Sequence, residues 1–150
     1  MKKRFLLYVF SAVVLFLLGV QVHHAALVNR YEDVSMTVVD GSAHGEGVTI
    51  EVINVNDAKT IYCGGFSGTA RLQKRVLGVW IPLWRDFTAA HTQEGGPRCE
   101  AEEPCRQELC WRGEYGRKGA GHYRVIQIFH DFRGPGDCTK FRLSAEFDIP

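Results

Sequence analysis

Five cysteines, at positions 63, 99, 105, 110 and 138, and six histidines are the residues of this chain whose chemistry could be put to use. The cysteine gaps never give the CxxC spacing of redox or zinc motifs. Cys99, Cys105 and Cys110 with a histidine would make a metal set, but thiols of an exported domain are more often oxidised to disulfides. Five thiols allow two intrachain bonds and leave one over. Cys105 and Cys110 lie five apart on one expected strand, hence on opposite faces, and cannot bridge each other. Cys99 precedes that strand by a short loop segment, so Cys99 with Cys105 is the first pairing expected. Cys63 with Cys138 is the second, and it requires Cys138 to remain in the Gly-Pro-Gly loop. Otherwise the strand from His122 separates the two by two inter-strand spacings, about 9.6 Å, beyond the Cα reach of a disulfide. Cys110 is left as the odd thiol.

The histidines do not add a catalytic constellation. His23 and His24 flank the N-terminal apolar run, and His91, His122 and His130 fall near loops or strand ends. No GxSxG or HExxH motif is present to mark a nucleophile or a zinc site. The acidic stretch CEAEEPC, 99 to 105, supplies hard oxygen ligands but lacks the alternating DxDxDG order of a calcium loop, and reads as a solvated charge run. Catalytic residues, metal ligands and cofactor-binding residues are therefore all expected to be absent.

Length and charge narrow the partners. A chain of 150 residues supports one domain with a real core. Lys2, Lys3 and Arg4 account for three of its 18 basic residues, so the remainder is slightly acidic against 17 Asp and Glu. Nucleic acid, which calls for a basic face or stripe, is not an expected partner. After those three cations the run from Phe5 to Val22 carries no charge and is just long enough to span a bilayer at about 1.5 Å per residue. Cleavage after Ala25 or Ala26 would put His23 or His24 at the −3 position, where a signal peptidase wants a small residue. Residues 1–22 are thus expected to be an uncleaved signal-anchor in the cell membrane, with the N-terminus inside and the rest outside; secretion after cleavage is the alternative. Residues 23–33 read as a tether and 34–150 as the globular domain.

That domain reads as strands throughout. Segments 34–39 and 48–55 alternate apolar and polar residues, TIYC follows the turn cluster NDAK, and 70–84 reads as a hairpin turning near Leu77 and Gly78 with Trp80 and Trp84 as its bulky apolar positions. Residues 88–104 are one long polar loop. Segments 106–111 and 122–132 are further strands, and the closing run puts Phe141, Leu143, Ala145, Phe147 and Ile149 on one face with charged and polar residues on the other. Short strands, turn signals and no amphipathic helix predict an all-β, immunoglobulin-like antiparallel sandwich, with a closed barrel as the alternative. In such sandwiches a tyrosine near the start of the penultimate strand turns its hydroxyl onto backbone just upstream. Tyr123, behind Gly119 and Gly121, is the expected corner residue.

The chain resembles the bacterial immunoglobulin-like domains of short exported or membrane-anchored proteins from Gram-positive bacteria. The resemblance covers about residues 34–150 and rests on EVINVNDAKTIYCGGF, on GVWIPL, on YG followed by G.YRV, and on AEF.I. Tyr115, Gly116, Gly121, Tyr123, Arg124, Glu146 and Phe147 fall where that pattern expects them. It departs in the cysteine-bearing acidic loop 88–104 and at Cys63, where such domains usually place glycine. The resemblance implies a non-catalytic module of unassigned role without a cofactor. With the N-terminal anchor, the favoured class is an interaction or accessory module on the outer face of the membrane, using loops or a strand edge to bind an unidentified protein or cell-wall polymer. A proteinase inhibitor presenting loop 88–104 is the alternative, and an enzyme the least favoured class.

Overall fold

The computed structural model describes residues 8, 9, 11, 12, 15, 29, 31–63, 70–86, 98–101 and 103–150. Most of the apolar run 5–22 lies outside them. Its described residues are helical, and among the described residues no helix is long and apolar enough to cross a membrane.

From residue 34 onward the protein is two sheets built of β1 (Val34–Val38), β2 (Gly47–Asn54), β3 (Thr60–Cys63), β4 (Arg71–Val76), β5 (Val79–Pro82), β6 (Arg98–Cys99), β7 (Cys105–Cys110), β8 (Gly121–Gly134) and β9 (Asp137–Ile149). One sheet has the order β1-β2-β7; the other runs β5-β4-β8-β3-β6, with β9 also on β8. Every strand pairing is antiparallel. β8 organises the larger sheet. β4 pairs with its residues 123–126 and β3 with 129–132, end to end along one side, while β9 takes the other side from Gly121 to Gly134.

Period-two alternation decides which side chains meet between the sheets. Val34 and Met36 of β1, Val48, Ile50 and Val52 of β2 and Leu109 of β7 face Ile61, Leu72, Tyr123, Val125, Phe129, Leu143 and Phe147 of the other sheet in one core. The closing strand buries Leu143, Ala145, Phe147 and Ile149 and leaves Phe141 partly buried against Tyr31. The β4–β5 turn lies at Leu77 and Gly78, both at positive φ (51° and 80°), as a two-residue turn matched to strand twist requires.

The structure departs from the sequence expectations at several points. The segment 88–104 is not all loop, because Arg98–Cys99 form β6 against β3, with Ile61 opposite Cys99. Trp80 and Trp84 are not core residues: Trp84 is 88% exposed, and the fully buried tryptophan is Trp111. Trp111 packs on Phe147 at 5.7 Å and donates its indole N–H to the Gly45 carbonyl at 3.1 Å. A short helix, α1 (Arg112–Tyr115), follows it. The expected tether is docked where it is described. Asn29 bonds to β9, the Tyr31 ring stacks on Phe141 at 4.0 Å while its hydroxyl donates to Asp131, and Asp33 pairs with Lys59.

Candidate functional site

The two sheets leave unlike edges on the side where β1 and β9 approach one another. β9 spends one edge on β8 along its whole length and, among the described strands, pairs with no other. In an antiparallel strand successive residues send their N–H and C=O to alternate sides. Asn29 shows which residues of β9 point outward: its N–H donates to the Arg142 carbonyl at 3.0 Å, and its side-chain oxygen accepts from the Ser144 N–H at 2.8 Å. By the same alternation Glu146 and Asp148 present their backbone groups on this edge, beyond the reach of Asn29. β1 behaves likewise. Val39 donates to Thr49 and Asp33 accepts from Val55, so residues 36, 38 and 40 point away from β2.

Between these edges runs a groove of about 560 Å³, lined by residues 36–41, Ala43 and 144–148. Its described lining includes the carboxyl-bearing residues Asp40, Glu146 and Asp148 and no Lys or Arg. On the outer face beside it, His122 bridges two of them, with Nδ1 2.8 Å from Asp148 and Nε2 3.1 Å from Glu146. Those two hydrogen bonds hold the imidazole pKa above its ordinary value. The Trp80 ring lies 5.4 Å from the imidazole and carries the Arg124 guanidinium 4.5 Å over its face. Burial lowers the Arg124 pKa, and the charge on Glu146 opposes that shift. The arrangement can do what a sheet edge does: take up an extended backbone through paired hydrogen bonds, with charge selecting its side chains.

The residues singled out in the sequence are distributed as follows. Tyr123 is buried, its hydroxyl donating to the Gly119 carbonyl at 2.8 Å, and Gly121 sits at φ 150° with the Lys74 side chain 2.7 Å from where a Cβ would stand. No two cysteines lie at disulfide distance. Cys63 and Cys138 are not brought together. Cys63 pairs with Phe129 on the core face, whereas Cys138 is inside strand β9, opposite Phe132 on the outer face, so β8 and the thickness of the sheet separate them. Cys138 instead stands 3.5 Å from His130 Nδ1, in a shallow recess with Tyr62 and Phe132. Cys110 is exposed opposite Gly47. Cys99 and Cys105 are brought together, and Cys63 joins them: both lie close enough to the Cys99 thiol to shift its ionisation. Among the described residues no group of three His, Cys, Asp or Glu is placed to hold a metal ion. Most of the expected inhibitory loop, 88–104, lies outside the described residues, and its end is held against the sheet as β6.

The open edge and Asn29 were missed from sequence, because whether a strand is an edge depends on which strands the topology sets beside it. The one local signal was the acid pair Glu146 and Asp148 on a strand otherwise patterned with basic residues, Lys140 and Arg142. No protein-family model matches the chain, and no curated protein matches it in sequence.

Proposed function

We propose that this chain is a non-catalytic module at the outer face of the cell membrane, an immunoglobulin-like sandwich that binds an extended, basic polypeptide segment as an added strand on β9. The observation that carries the reading is the edge of β9 beyond Asn29, where Glu146 and Asp148 present backbone groups that no described strand pairs, beside a groove lined with carboxylates. Backbone pairing supplies affinity that is indifferent to sequence, and the acids select Lys or Arg at alternate positions. A second copy is disfavoured as occupant, since pairing the same acidic stretch of two chains puts like charges opposite each other. The immunoglobulin-like assignment is supported by the Tyr123 to Gly119 bond at the entry to the penultimate strand and by Trp111 buried between the sheets. The external location rests on the basic cluster and uncharged run at the N-terminus.

The test is binding of a synthetic heptapeptide of alternating lysine and valine, against a glutamate–valine counterpart, followed by amide hydrogen exchange. The lysine peptide is expected to bind and to protect the amides of Glu146 and Asp148. Glu146→Pro, which removes an outward N–H while leaving the β8 ladder paired, is expected to abolish binding with the fold retained. Equal binding of both peptides, or binding without protection at these amides, overturns the reading. Stoichiometric inhibition of an extracellular protease by the chain would replace it with the inhibitor function.

A further inference from the structure

Three cysteines gather where residues 99–105 pass from one sheet to the other. Cys99 ends β6 opposite Ile61 of β3, which makes Cys63, two residues on, its diagonal neighbour on the same core-facing side. From there the chain crosses past Ala101, bridged to Asn54, and reaches Cys105 opposite Val52 of the smaller sheet. Cys99 lies between the other two, diagonal to Cys63 across the β3–β6 pair and six residues before Cys105, and both neighbours perturb its thiol. Exposure is graded across the trio: Cys99 is 0% exposed, Cys63 2%, and Cys105 is half-buried.

We propose that Cys99 is the shared sulfur of two alternative disulfides, one to Cys105 and one to Cys63, and that the third thiol moves the bond between them. The oxidant is a small or protein disulfide, and Cys105 is the sulfur it can reach. The Cys105 thiolate attacks one oxidant sulfur and expels the other as a thiolate, leaving a mixed disulfide. Cys99, as thiolate, then attacks the Cys105 sulfur and expels the second oxidant thiolate, forming Cys99–Cys105. Two electrons pass to the oxidant, and its two thiolates take up the two cysteine protons. Cys63, as thiolate, can next attack the Cys99 sulfur. Cys63–Cys99 forms, Cys105 leaves as a thiolate and takes up the proton that Cys63 released, and no net oxidation occurs. The disulfide moves into the core and a half-exposed thiol is regenerated, free to engage a further disulfide or a cysteine of a partner.

Burial, followed by the interaction with Cys99, pushes the Cys105 thiol up to about 12, and the interaction with Cys63, followed by burial, raises the Cys99 thiol above its ordinary value. Thiolate is therefore scarce at neutral pH, and exchange accelerates about tenfold per pH unit below those values. This chemistry does not depend on the strand-addition reading, because it needs only the three sulfurs and an oxidant.

The test oxidises the purified full chain with oxidised glutathione at pH 9, quenches in acid, and maps unreduced peptides by mass spectrometry. Cleavage at Arg98 and at the glutamates between Cys99 and Cys105 separates all three sulfurs. The wild-type chain is expected to yield both Cys99–Cys105 and Cys63–Cys99. Cys63→Ser should yield only the first, Cys105→Ser only the second and more slowly, and Cys99→Ser neither. A wild-type chain holding a single pair at all times, a Cys63–Cys105 bond in the Cys99→Ser chain, or no bond within the trio overturns the proposal. The wild-type map decides even if a variant does not fold.

Discussion

Asn29 caps the outer edge of β9 at Ser144, accepting from its backbone N–H at 2.8 Å while donating its own N–H to the Arg142 carbonyl at 3.0 Å. It does so from φ 60°, a left-handed conformation that asparagine tolerates better than most residues. One side chain therefore sets where the closed part of the edge ends and the open part begins.

Asn29→Gly keeps access to that conformation and removes the cap, and is expected to cost about 0.5–1.5 kcal/mol, the net worth of one hydrogen bond. Asn29→Ala should cost more, since alanine also resists a positive φ. Urea denaturation of both measures the difference, and hydrogen exchange at Ser144 should quicken in each. Unchanged exchange at Ser144 would mean that the cap does not form in solution.

Among the described residues Tyr31 is the only hydrogen-bond donor to the side chain of Asp131, which is 1% exposed and whose second oxygen, Oδ1, has no partner among them. Tyr31→Phe keeps the stack on Phe141 and strips that donor. The expected loss is about 1–3 kcal/mol, the cost of leaving a buried polar group unsatisfied. Thermal denaturation checks it, and a change below about 0.3 kcal/mol would show that the hydroxyl is not bonded to Asp131.

Tyr123→Phe removes the bond to the Gly119 carbonyl while preserving the ring contact with Phe147 at 6.0 Å. About 1 kcal/mol of stability is expected to go, because the Gly119 carbonyl must then be satisfied by water. An unaltered denaturation midpoint would place the hydroxyl in solvent in the folded protein.

Arg85 and Glu114 join the segment after β5 to α1 inside the molecule. Arg85 Nη2 donates to Oε1 at 2.7 Å, and Nε approaches Oε2 at 2.6 Å as an ion pair rather than an aligned hydrogen bond, with side chains 9% and 2% exposed. Glu114→Ala removes the Glu114 carboxylate from beside a buried guanidinium. A loss of about 3–5 kcal/mol is expected, more than replacing both residues together by apolar ones of similar size. Equal stability of the two variants in denaturant would contradict this.

His122 makes the stability depend on pH. Its bonds to Asp148 and Glu146 raise the folded-state pKa, with Trp80 packed beside the ring and Arg124 next along the face. A raised folded pKa means that the folded chain binds the proton more tightly than the unfolded one. The contribution is therefore complete below the unfolded value of about 6.5 and is lost as pH rises through the folded value. The stability gap between the wild type and His122→Gln should be widest in acid and close as pH rises through the folded-state pKa. A gap that widens with rising pH would mean that the imidazole is held neutral.

Strand by strand, much of the fold was legible in the sequence because alternation is a local property. Leu143, Ala145, Phe147 and Ile149 declare a buried face whatever lies opposite them, and Leu77-Gly78 interrupts an alternating run in the only way a two-residue turn can. Alternation does not say which apolar residue of a peripheral strand reaches the core. Trp80 sits on β5, at one end of its sheet, and Trp84 beyond it, so neither has a facing layer, whereas Trp111 follows β7 directly under Phe147. Nor can a two-residue strand such as β6 be read from its own residues, since it exists only because β3 offers it an edge.

The candidate sites show the same division more sharply. Composition established that five thiols were present and that one must be left over, and the alternation of β7 placed Cys105 and Cys110 on opposite faces. Which thiols meet was decided by β6 pairing with β3 and β7 with β2, contacts between residues distant in the chain, and these put Cys63 beside Cys99 and away from Cys138. The acids of β9 were likewise visible in the sequence, but their position on an open edge was not. A strand's residues set its two faces, while its two edges are set by whatever the rest of the chain lays alongside it.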